Sequence, residues 1–79
     1  MGFTPLMGEI RDACGRLGFA WHEVNFAWHV TGAGFFSGAP KAWTCTLTYG
    51  AVTIIGESSN GEDALRQIAI ALAQRISLL

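Results

Sequence analysis

The sequence predicts an α+β domain in the order α-β-β-β-α: a three-stranded antiparallel sheet with two helices packed on one face. Apolar residues recur with a helical period before residue 18 and after residue 61, and with a period of two between Glu23 and Gly56. Hydrophobic residues make up 51% of the chain and charged residues only 14%, which favours a packed core over disorder. Seventy-nine residues without a linker, repeat or low-complexity stretch are expected to form one domain, 1–79.

The first helix is expected to start with Thr4 as its cap and Pro5 in its first turn, and to stop at Gly18. Leu6, Met7, Ile10, Cys14 and Leu17 fall on one side of it. Gly8 and Gly15 weaken this helix and suggest close approach to another element. From Glu23 onward Val24, Phe26, Trp28 and Val30 alternate with Glu23, Asn25, Ala27, His29 and Thr31, the pattern of a half-buried antiparallel strand. This places Trp28 firmly in the buried set, while Trp21 and Trp43 read either as core or as surface contacts. A glycine-rich loop, Thr31 to Lys41, follows.

Trp43, Cys45, Leu47 and Tyr49 face one way in the second strand, and Thr44, Thr46 and Thr48 face the other. A turn at Tyr49-Gly50 leads into a third strand, Ala51 to Gly56, with Val52 and Ile54 opposite Thr53 and Ile55. Ser59 and Glu62 have the spacing of a capping box at the start of the last helix. Leu65, Ile68, Ala69, Leu72, Ile76 and Leu79 form the buried stripe of that helix, with Ile70 off it on an apolar flank. This composition exceeds what so small a core can hide, so part of the apolar surface is expected to face solvent or a partner.

The net charge of −1, with Arg11, Arg16, Lys41, Arg66 and Arg75 scattered, argues against nucleic acid as the partner. Two cysteines outside any CxxC pair make neither a disulfide framework nor a zinc site, and both fall on core faces as packing residues. The apolar C-terminal segment is interrupted by Arg66, Gln67, Gln74 and Arg75 too often for a membrane span. A start without a signal peptide or a myristoylation signal makes the cytoplasm the expected location.

No catalytic, metal or cofactor residues are assigned, and the chain is expected not to be an enzyme. His22 and His29, seven residues apart in a strand, would lie on opposite faces. Gly32-Ala33-Gly34 follows a strand but opens no helix, which excludes a dinucleotide loop. The expected partner-binding residues are Phe35 and Phe36, adjacent aromatics in the glycine-rich loop, with Glu57, Glu62 and Asp63. The acids also have a structural explanation, since carboxylates in the first turn complement the helix dipole.

The opening Pro5-Leu6-Met7-Gly8-Glu9 and the run WTCTLTYGAVTIIGESSNGEDALRQIAIALAQRI from Trp43 resemble a double-stranded-RNA-binding domain over nearly the whole chain. The resemblance implies the αβββα fold. It also implies phosphate contacts by lysines at the start of the last helix, and a loop between the first two strands that reaches a minor groove. The matching helix positions here are Gly61, Glu62 and Asp63, and Gly38-Ala39-Pro40-Lys41 only echoes the loop. Shape without RNA contacts is therefore the expectation.

In size, self-contained domain and tryptophan content the chain is similar to small phage and mobile-element proteins, anti-CRISPR inhibitors among them. That similarity implies a non-enzymatic protein-interaction module that binds a host nuclease or nucleoprotein complex. Two alternatives stand beside it. One is a nucleic-acid-binding module using Lys41, Arg11 and Arg16; the other is a homodimer joined through the apolar helix flank or a sheet edge.

Overall fold

The computed structural model describes residues 3–31 and 42–79. Helix α1 spans Phe3–Arg16, a 3₁₀ turn Trp21–Glu23, strand β1 Asn25–Thr31, β2 Ala42–Tyr49, β3 Val52–Ser58, and helix α2 Gly61–Ser77. The three strands form one antiparallel meander, β1-β2-β3, in the expected α-β-β-β-α order. Helix α2 lies on the inner face of the sheet over β3 and β2, and α1 packs alongside α2.

The helix ends follow from local chemistry. Because α1 begins at Phe3, Thr4 sits within its first turn rather than ahead of it as a cap. Pro5 is tolerated there because first-turn N–H groups have no intrahelical partner. Gly18 takes φ +79°, and the Phe19 and Gly18 N–H groups donate back to the carbonyls of Cys14 and Gly15, a Schellman closure. Gly8 and Gly15 are exposed and a Cβ at either would meet nothing, so neither marks a close approach.

That role belongs to Gly56. It is buried against α2, where an added Cβ would run into the Ala64 carbonyl oxygen and crowd Ile68. The hairpin between β2 and β3 turns through Gly50 and Ala51, with Tyr49 and Val52 as the closing pair. Gly50 has φ +57° and Ala51 is not left-handed, the pattern of a type II′ turn that suits the strand twist.

The core joins Leu6, Ile10 and Cys14 of α1, Cys45 and Leu47 of β2, Ile54 of β3, and Ala64, Leu65, Ile68 and Leu72 of α2. Burying side chains of this kind stabilises by roughly 1.5–3 kcal/mol for each large aliphatic. Ile76 is half-buried, whereas Leu79 lies beyond the helix end and is exposed, contrary to the expected stripe.

Strand β1 departs most from its periodicity. Only Phe26 is partly covered within it; Trp28 is 42% exposed and Val30 37%, so Trp28 is not buried as expected. The reason is position. β1 is the edge strand away from α2, which covers β3 and β2, so its inward residues reach past the helical layer. Trp28 instead meets Trp43 edge-on at 6.1 Å, and Phe26 meets Trp21 at 5.8 Å.

Candidate functional site

Cross-strand rows set the chemistry of the outer sheet face. Thr48, Thr46 and Thr44 run down its centre, flanked by Asn25, Ala27 and His29 on β1 and by Thr53, Ile55 and Glu57 on β3. Ile55 is 61% exposed in this polar setting. His29, Thr44 and Glu57 share one row, and the Thr44 hydroxyl donates to Glu57 Oε2 at 3.3 Å. A hydrolytic relay places the imidazole between hydroxyl and carboxylate. Here the hydroxyl lies between the imidazole and the carboxylate, so the row does not have the order of that relay.

His22 lies in the 3₁₀ turn rather than in a strand, and its Nε2 sits 3.8 Å from Glu23. Among the described residues no three His, Cys, Asp or Glu side chains form a group that could hold a metal. Cys14 and Cys45 are fully buried. Burial raises both thiol pKa values, Cys45 from 9.0 to about 11, which suppresses thiolate formation.

The acidic stretch divides between two surfaces. Glu57 is on the outer sheet face, while Glu62 and Asp63 occupy the first turn of α2 on the other side. Arg66 holds both helix acids, reaching Asp63 at 2.7 Å and Glu62 at 3.1 Å. The N-cap is Asn60, one residue after the expected Ser59: Asn60 Oδ1 accepts the Asp63 N–H at 2.8 Å, and its Nδ2 donates to Asp63 Oδ2 at 3.2 Å. Asn caps as well as Ser, and Gly61 is already helical, which moves the cap by one position. Phe35, Phe36 and Lys41 lie outside the described residues.

Two concave regions gather functional groups that the sequence pattern did not bring together. A groove of about 490 Å³ between α1 and α2 is lined by Pro5, Leu6, Glu9, Glu62, Arg66 and Ile70, among others. It continues past Ala69 and Ala73 into a space of about 280 Å³ bordered by Asp12, Arg16 and Ile76. Ile70 is 52% exposed, as its place off the stripe predicts. Glu9 and Asp12 have no ion-pair partner among the described residues.

The second region is a shallow cleft of about 490 Å³ at the end of α1, lined by Arg11, Asp12, Gly15, Arg16, Phe19 and Trp21. Phe19 stacks on Tyr49 at 4.3 Å behind it. The sequence pattern did not single out Glu9 and Asp12 in the first groove, although their i, i+3 spacing puts both on one side of α1. Neither the aromatic wall of the second nor its pairing with Arg11 and Arg16 is visible before the turn after α1 is known.

This architecture defines a small α+β domain with a helix-lined groove on one side and an open sheet face on the other. No known family model, curated protein or solved structure matches the chain.

Proposed function

We propose that this chain is a non-enzymatic protein-interaction module that takes up a basic, amphipathic segment of a partner protein along the α1/α2 groove. One observation carries the reading: the exposed Ile70 beside a small-residue floor at Ala69 and Ala73, with Glu9 and Asp12, which have no ion-pair partner among the described residues, on the opposite rim. An apolar stripe bordered by Lys or Arg complements that surface, and buried aliphatic contact supplies the affinity while the charges set orientation. Nucleoprotein complexes present basic surfaces where they meet nucleic acid. A small inhibitor of such a complex, of anti-CRISPR type, is the particular form of this proposal. Phe35 and Phe36 remain its loop contacts on sequence grounds.

Ile70→Asp and Glu9→Lys alter exposed positions and are expected to leave the fold intact. Host-lysate capture with the wild type and each variant side by side tests the reading. Proteins retained by the wild type and lost with both variants support it; an identical retained set overturns it.

A second reading, a nucleic-acid module, is favoured by the convergence of Arg11 and Arg16 with Trp21 in one cleft. Asp12 in the same cleft and the net charge of −1 weigh against it. If it holds, single- or double-stranded RNA binds at low salt, weakens steeply as salt rises, and is lost in Arg11→Ala/Arg16→Ala. No binding at low salt removes it.

A further inference from the structure

The hydrogen bonds of Gln67 fix the phase of the β2–β3 ladder. The Glu57 N–H donates to Gln67 Oε1 at 2.9 Å, and Gln67 Nε2 donates to the Glu57 carbonyl at 2.6 Å. Both backbone groups of Glu57 therefore point away from β2, and Thr44–Glu57 is a pair without mutual backbone bonds. Two other features agree with this phase. Side chains approach most closely across such pairs, as Thr44 and Glu57 do at 3.3 Å, and a two-residue hairpin closes on a hydrogen-bonded pair, here Tyr49–Val52. Counting back by twos, the backbone groups of Ile55 and Thr53 also face the open edge of β3.

We propose that Gln67 is a strand plug: its side-chain amide mimics a paired peptide group at Glu57 and prevents a second copy of this chain from adding its β3 to this edge. The partner is a second copy because the edge is complementary to itself. An antiparallel pairing centred on Ile55 sets Ile55 opposite its symmetry mate, and Thr53 opposite Glu57 at both ends. That arrangement has three closely bonded pairs. With Gln67 in place on each copy, both terminal pairs are already occupied and only the central one is available. Helix α2 thus closes the edge that a meander leaves exposed, from a position the helix already needs for packing.

The test compares wild type, Gln67→Met and Gln67→Met/Ile55→Lys by analytical ultracentrifugation over a range of concentrations, with circular dichroism to check folding. Methionine keeps the length of the side chain without its amide. Gln67→Met is expected to self-associate at least tenfold more tightly than the wild type, and the added Ile55→Lys is expected to reverse this by placing like charges opposite each other. Equal association of wild type and Gln67→Met, or association that Ile55→Lys leaves unchanged, overturns the proposal. Hydrogen exchange on the wild type needs no variant: the Glu57 amide is expected to exchange at least tenfold more slowly than those of Thr53 and Ile55 after correction for intrinsic rates. Equal exchange at the three positions also overturns it.

Discussion

Gly56 and Gly8 are the same residue type under opposite constraints. Gly56 sits where α2 presses onto β3, and the obstacle to a Cβ there is the backbone carbonyl of Ala64, which cannot turn aside as a side chain could. Gly56→Ala is therefore expected to cost about 3 kcal/mol or more, the upper range for overpacking. Gly8 lies exposed in α1 with nothing near its missing Cβ. Gly8→Ala is expected to stabilise by roughly 0.5–1 kcal/mol through helix propensity and a less disordered unfolded chain. Urea unfolding of the two variants measures both signs; a stabilised Gly56→Ala would show that the helix can lift off the strand without loss. Helix periodicity alone points to Gly8 and Gly15 as sites of close approach. The real site depends on how α2 docks, which local spacing does not encode.

At the scale of elements, the start of α2 separates two caps that the stretch Ser58-Ser59-Asn60-Gly61 makes almost equivalent on paper. Asn60 accepts the Asp63 N–H, so Asn60→Ala is expected to cost about 1 kcal/mol, whereas Ser59→Ala is expected to be nearly neutral. Thermal or urea denaturation of the two variants decides between them, and a reversed order would restore the Ser59–Glu62 box. The faces of β2 and β3 were legible, because alternation gives them directly and both strands lie under α2. Their ends were not: the turn falls at Gly50-Ala51 rather than Tyr49-Gly50, and β3 runs Val52–Ser58 rather than Ala51 to Gly56. For β1 the same alternation named the inward face correctly but not its cover, since Trp28 and Val30 extend past the helical layer. Of the candidate site, Ile70 could be read from its angle on α2. The Arg11–Arg16–Trp21 cleft and the Gln67 clamp could not, because each depends on a contact between elements distant in sequence.

At the scale of the whole molecule, the core formed by the described residues draws on both helices and the sheet, and it holds Cys14 from α1 and Cys45 from β2 fully out of water. Neither thiol is paired in a disulfide. Removing the Cys45 proton inside the core would bury a charge among apolar side chains, which raises its pKa from 9.0 to about 11; Cys14 moves in the same direction for the same reason. Below pH 9 both folded and unfolded chains keep the Cys45 proton, so its contribution to stability is complete. Between about pH 9 and 11 the unfolded chain loses that proton while the folded chain retains it, and stability falls by about 1.4 kcal/mol per pH unit from this group. Above about pH 11 both states are ionised and the loss levels off. Other groups titrate in this range, so the wild-type profile alone does not isolate the thiol; a comparison with Cys45→Ala does. The variant is expected to be less stable at pH 8, because it leaves a cavity, but to lose less stability on going to pH 11. Urea unfolding of both proteins across that range gives the two slopes. Converging curves place the thiol in the dry core, and parallel curves would mean that Cys45 ionises in the folded protein as readily as in the unfolded chain.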